Sequence, residues 1–200
     1  AKEVGIARTY IVTNASLLDD ETVKGIIESG LDAMKISFYG LNKTEYEGIH
    51  KGLSFDKVRG NIERLLREKK KSGSRKPEII TRYMGSPLRL PAFALQWGFK
   101  TRIAFGMFHN YAYGRSYTQP KTGKKKRSCG PVKHSIMQIL WDGKVVSCCY
   151  DFDGKVVLGD VAKQSVREAW KSEEYERFRE IHRKGEYERI PVCYNCDKLK

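Results

Sequence analysis

The sequence predicts an α/β protein: a parallel sheet built from strand–helix units, followed by a small α+β unit held by cysteines. Three observations predict it. Strand-like and helix-like runs alternate over roughly the first half of the chain, as they do in βαβ units. That alternation stops after Gly106, giving way to a Gly- and Lys-rich stretch with no clear period. All five cysteines of the 200-residue chain lie at or beyond position 129.

Thr9 to Thr13 (TYIVT) is β-branched and aromatic, and reads as a buried strand. Asn14 to Leu18 is a loop. Asp19 or Asp20 can cap a helix that turns Val23, Ile26 and Ile27 inward and stops at Gly30. Ala33 to Phe38 is a second strand. Ser54 caps a helix whose Phe55, Val58, Ile62, Leu65 and Leu66 recur at helical spacing. Glu78 to Tyr83 is a third strand, Pro91 to Trp97 a short helix, and Thr101 to Phe105 a fourth strand. Four such strands make either a small open sheet or the second half of a larger barrel. Both architectures bind ligands beyond the carboxyl ends of their strands. Thr13, Asn14, Ser37, Tyr39, Arg82 and Tyr83 stand there. The competing reading for Asn14 and Ser37 is that they only cap loops by bonding nearby backbone.

The domain boundary is placed at 112/113, giving units 1–112 and 113–200. His109, Asn110, Tyr111, Tyr113, Gly114 and Tyr117 lie in the connection, either lining a substrate surface or packing beneath a loop. Ser135 to Trp141 is a strand, Asp142-Gly143 a hairpin turn, and Lys144 to Tyr150 the return strand. Val156 to Leu158 follows. Val166, Ala169 and Trp170 define one helix; Ser172 caps another, with Tyr175, Phe178 and Ile181 inward.

A hydrophobic content of 40% permits a packed core, and no apolar run approaches the ~20 residues of a membrane helix. No signal-peptide pattern opens the chain, which starts at Ala1 and reads as a fragment or processed chain from the cytoplasm. The net charge of +14 is compatible with an anionic partner or simply with a solvated basic surface. Part of it is local: Arg67, Lys69, Lys70, Lys71, Arg75 and Lys76 surround one helix end, and Lys121, Lys124, Lys125, Lys126 and Arg127 form a second run.

An odd number of cysteines suits a disulfide framework poorly. Cys193 and Cys196 form a Cys-x-x-Cys pair, Cys129 precedes the hairpin, and Cys148 and Cys149 lie on its return. Adjacent strand residues face opposite ways, so one of Cys148 and Cys149 is a ligand candidate and the other a small buried hydrophobe. Four thiolates suit tetrahedral zinc or an iron–sulfur cluster, and spacing alone does not separate the two. A metal clip also stabilises a unit too small to bury a large core.

The run Asp142-Gly143-Lys144-Val145-Val146-Ser147-Cys148, then Leu158-Gly159-Asp160, Val166 to Trp170, Tyr175, Phe178-Arg179, His182 and Pro191-Val192-Cys193-Tyr194-Asn195-Cys196 resembles the SPASM or shortened "twitch" domain that follows the catalytic barrel of many radical S-adenosylmethionine (SAM) enzymes. The family segment DG-x-V-x-x-C implies that Cys148 rather than Cys149 is the ligand. The implied set is Cys129, Cys148, Cys193 and Cys196, holding an auxiliary [4Fe-4S] cluster. The earlier half is similar to the later strand–helix units of the radical SAM barrel. It has Thr13-Asn14-Ala15 where the family has TNG, and Ser37-Phe38-Tyr39-Gly40 where the family has SLDG. The implied fold is therefore the C-terminal half of a parallel (βα) radical SAM barrel followed by a small α+β SPASM/twitch domain. Asn14 and Ser37 become candidate contacts to S-adenosyl-L-methionine.

The family's SAM-cleaving CxxxCxxC loop has no counterpart in these residues, since no cysteine precedes position 129. The resemblance implies a full-length parent that generates a 5′-deoxyadenosyl radical, and a chain that is inactive alone. It implies a small-molecule, sugar or peptide substrate and an electron donor such as flavodoxin or ferredoxin, with no membrane or nucleic-acid partner. Asp151 and Asp153 follow the cluster ligands and either accept a substrate proton or form turns. The alternative from a different class is a zinc-stapled basic binding module.

Overall fold

The computed structural model describes residues 2–106, 108, 129, 132, 136–194, 196 and 199. The aromatic connection from His109 to Tyr117, the basic run from Lys121 to Arg127, and Ser135 lie outside the described residues. The chain divides into two compact units, Ala1–Met107 and Phe108–Lys200.

Unit one is a four-stranded parallel sheet in sequence order: β1 (Tyr10–Thr13), β2 (Ala33–Ser37), β3 (Glu78–Met84) and β4 (Arg102–Gly106). The helices are α1 (Asp20–Glu28), α2 (Lys43–Ile49), α3 (Phe55–Lys71) and α4 (Leu90–Trp97). Register puts Met34, Ile36, Ile79, Thr81, Tyr83 and Ile103 on one face. Most of these pack with Val23, Val58, Ile62, Leu65, Phe93 and Trp97 of the helices into one core. The opposite face carries Tyr10, Val12, Lys35, Ser37, Ile80 and Arg82, and both Tyr10 and Val12 are exposed.

The helix starts follow from short polar side chains that satisfy otherwise unpaired N–H groups. The Asp19 Oδ1 accepts from the Thr22 N–H at 2.8 Å, and the Ser54 Oγ from the Lys57 N–H at 3.4 Å. Lys69, Lys70 and Lys71 occupy the last turn of α3, where cations favour the helix dipole.

Helix α2 is absent from the sequence reading. It is capped by Asn42, whose Oδ1 accepts from the Glu45 N–H at 3.0 Å, and the Glu45 carboxylate reaches back to the Leu41 N–H. One buried residue, Tyr46, anchors it, which is too little for a helical period to show. Gly40 lets the chain enter this turn: its φ is +125°, and a Cβ there would stand 2.7 Å from the Tyr46 nitrogen.

Unit two contains an antiparallel sheet of β5 (Gln138–Ile139), β6 (Lys144–Val146) and β7 (Val157–Asp160), in that order. It is followed by α5 (Val166–Lys171), α6 (Glu173–Lys184) and α7 (Pro191–Tyr194). Ser165 and Glu168 form a reciprocal capping box on α5, and Ser172 caps α6. Val145, Leu158, Ala169, Tyr175, Phe178, Tyr187, Ile190 and Val192 form the core with Cys193, Cys196 and Leu199. Gly159 permits close packing of α5 on β7, since a Cβ would lie 3.2 Å from the Ala169 Cβ.

The hairpin strands are shorter than expected. The return strand ends at Val146 rather than Tyr150, after a register shift between Val145 and Val146. Beyond it a buried carboxylate takes over: Asp151 accepts from the Ser147 hydroxyl at 3.1 Å, the Lys155 N–H at 2.8 Å and the Val156 N–H at 2.9 Å. Asp151 is fully buried and organises this turn, so the proton-acceptor role considered for it is set aside.

Candidate iron–sulfur site

Three segments bring four cysteines together. Cys129 precedes the sheet, Cys148 follows β6, Cys193 sits on α7, and Cys196 lies just beyond it. All four line one cavity, together with Ser147, Tyr150, Phe178, His182, Val192 and Leu199. The void between them is about 20 Å³. Cys193 and Cys196 are buried, and Cys129 and Cys148 are partly exposed.

Cys149 is exposed and does not line the cavity. This corrects the expectation of a small buried hydrophobe. With the strand ended at Val146, the turn and not strand alternation decides which of the two cysteines faces inward. Among the described residues, no three His, Cys, Asp or Glu side chains converge on the position of a single metal ion.

Burial dominates the electrostatics of the thiols. It pushes the Cys148 thiol up to about 11 and also raises those of Cys129 and Cys193. Neighbouring cysteines add to each rise, and Asp151 adds to that of Cys193. Such thiols become good ligands when a cationic centre compensates their charge.

His182 is the residue of this cavity whose role the sequence does not announce. It stands one helical turn after Phe178 on the inner face of α6, where its i, i+4 spacing suggests core packing. Its Nε2 lies 3.6 Å from the Cys193 Sγ. Burial holds its imidazole down to about 4.

The two candidate SAM contacts are neighbours in unit one. The register that pairs Thr13 with Ile36 sets Asn14 beside Ser37 at the carboxyl edge of the sheet. Asn14 is exposed, and its Oδ1 accepts from the Ser16 N–H at 3.0 Å; the Ser37 Oγ accepts from the Tyr39 hydroxyl at 3.0 Å. Asn14 thus makes the backbone bond of a loop-capping residue, whereas the bond of Ser37 is to a side chain.

The loop holding Asn14 is itself anchored. Ala15, where the family has glycine, adopts φ +62° and is fully buried. Asn61 of α3 donates to the Ala15 and Ser16 carbonyls at 2.9 and 3.2 Å. On the same sheet face, the Arg82 Nε is buried without a hydrogen-bond partner among the described residues.

Residues 129–197 match the SPASM family model, an iron–sulfur cluster-binding domain. That stretch is similar to a SPASM domain. The S-adenosyl-L-methionine-dependent 2-deoxy-scyllo-inosamine dehydrogenase of Niallia circulans is 27% identical over 81 residues, 40% of this chain and 32% of that protein. The chain thus spans about a third of the length of this curated relative. Among solved structures, BtrN in complex with AdoMet and 2-DOIA aligns over 95% of this chain and 60% of its own, at TM-score 0.53 and 16% identity. Native anSMEcpe with bound AdoMet aligns over 95% and 64%, at TM-score 0.64 and 14% identity. The same protein with AdoMet and the Cp18Cys peptide gives TM-score 0.60 at 14% identity, over 95% of this chain and 65% of that one. At these identities the likeness is one of fold. The resemblance to radical SAM proteins with a SPASM domain is thereby met twice, by the domain match and by the shared fold.

Proposed function

We propose that the chain is part of a radical SAM enzyme, an oxidoreductase or a peptide- or sugar-modifying enzyme. In this reading Cys129, Cys148, Cys193 and Cys196 hold an auxiliary [4Fe-4S] cluster. The parallel sheet is the later part of the (βα) barrel, contributing Asn14 and Ser37 to the SAM site. The observation that carries the reading is the wall of one cavity, to which Cys129, Cys148, Cys193 and Cys196 all contribute.

Four cysteines satisfy one cluster completely, and a cluster so held supplies one-electron transfer to or from a bound substrate. The chain's own part is to bury that centre, hold the Cys148 turn through Asp151, and exclude water with Tyr150, Phe178 and Val192. Four cysteines suit an iron–sulfur cluster or tetrahedral zinc, and the match of residues 129–197 to an iron–sulfur cluster-binding domain favours the cluster. The void is about 20 Å³, so a bound cluster would require the thiols to spread.

The fold relatives crystallised with 2-DOIA and with a peptide support a small-molecule, sugar or peptide substrate. A flavodoxin- or ferredoxin-like electron donor fits the redox role. An odd cysteine count, which suits a disulfide framework poorly, fits a reducing compartment such as the cytoplasm, and no described helix is long and apolar enough to cross a membrane. With no CxxxCxxC loop in its sequence, this chain does not cleave SAM by itself.

Anaerobic reconstitution with iron and sulfide tests the reading. The expected product is brown, with about four irons and four sulfides per chain. A colourless chain that retains one zinc overturns it and restores the binding-module reading. In a longer protein that includes the three-cysteine loop, Asn14→Ala and Ser37→Ala each weaken SAM binding; an unchanged Kd removes them from the site.

A further inference from the structure

His182 is 1% exposed, and its ring is fixed by packing, with centroids 4.9 Å from Phe178 and 6.0 Å from Tyr187. Among the described residues one polar contact is available to it, the Cys193 Sγ at 3.6 Å from Nε2, while Nδ1 is buried with no partner. The position of the ring proton follows from this asymmetry. With the proton on Nε2, a donor faces sulfur and Nδ1 is left as an unused acceptor. With the proton on Nδ1, a donor is buried unpaired and a lone pair faces sulfur. Unpaired buried donors are the rarer and costlier arrangement, so the Nε2–H form is preferred. A metal-bound thiolate accepts such a bond more strongly than a thiol does.

We propose that His182 is a positioning residue for the auxiliary cluster: its Nε2–H donates a hydrogen bond to the Cys193 sulfur and raises the cluster's reduction potential. The inference rests on the reading of Cys193 as a ligand. The direction follows from charge. Reduction adds an electron that is partly carried by the sulfurs, and a donor aimed at one of them stabilises the reduced state more than the oxidised one. Among the described lining residues, no other side chain carries a ring N–H: Phe178, Val192 and Leu199 are apolar, Tyr150 carries a hydroxyl, and the Ser147 hydroxyl donates to Asp151.

The test compares the reconstituted wild-type chain with His182→Phe and His182→Leu, which lack the donor, and His182→Gln, which keeps an N–H. Iron and sulfide content is measured first, the midpoint potential by redox titration second, and deuteron coupling to the reduced cluster by pulsed electron paramagnetic resonance in D₂O third. A donor-less variant that loads fully is expected to titrate at a more negative potential than wild type and to lose one exchangeable coupling, with His182→Gln nearer to wild type. A loaded donor-less variant with the wild-type potential overturns the proposal. Should neither donor-less variant load, the wild-type spectrum decides: a coupled exchangeable deuteron supports the bond, and its absence overturns it. A wild-type chain that takes up no cluster instead overturns the proposed function.

Discussion

Cys148 and Cys149 are chemically identical neighbours, and the turn after β6 separates them. Cys148 lines the cavity and Cys149 is exposed. Cys148→Ser should therefore lose most of the bound iron after reconstitution, whereas Cys149→Ser should keep it; iron analysis of the two variants reads the difference. Asp151 belongs to the same scale. Its carboxylate is fully buried and accepts from one hydroxyl and two backbone N–H groups. Asp151→Ala leaves those donors unpaired and should destabilise the domain by roughly 2–4 kcal/mol. Thermal melts measure that loss, with reduced iron uptake as its consequence at the site.

Between elements, α3 supports the loop after β1. Asn61 lies among apolar residues of α3 and is 5% exposed, so helical periodicity counts it as a break in the stripe. Its two donor contacts to the Ala15 and Ser16 carbonyls give it a purpose, and its Oδ1 accepts from Arg64 at 2.6 Å. Asn61→Ala should cost about 2 kcal/mol in a urea unfolding curve, because it strands buried carbonyls as well as removing bonds. The same variant should loosen the segment that carries Asn14.

At the scale of the whole molecule, acid and metal act on different units. In unit one, hydrogen bonding to Lys2 and then to Lys76 and the Thr9 N–H holds the Asp32 carboxyl well below the usual carboxylate range. A depressed pKa stabilises the fold above the unfolded-state value, near 3.9, and the contribution disappears as pH falls further. Unfolding midpoints should therefore drop below about pH 4, and Asp32→Asn should remove that part of the pH dependence. In unit two, iron removal should lower the melting temperature, since a centre held by residues from 129 to 196 ties together segments distant in sequence. Calorimetry with and without chelator reads this shift.

The sequence by itself determined the order of βα units, the caps at Ser54 and Ser172 with a third at Asp19 or Asp20, and the clustering of the cysteines toward a Cys-x-x-Cys end. These depend on local periodicity, on side chains that bond the nearest backbone, and on spacing along the chain. Helix α2 was not legible because one buried tyrosine makes no period, and the hairpin was read too long because apolar residues continue after the strand has ended. Spacing left Cys148 and Cys149 equivalent and the family resemblance pointed to Cys148; only the tertiary structure decided that Cys149 is exposed, that Asp151 is a buried organiser of the turn, and that His182 meets the Cys193 sulfur. Each of these depends on contacts between segments that the chain separates, and residue type alone does not specify which distant group a buried side chain will find.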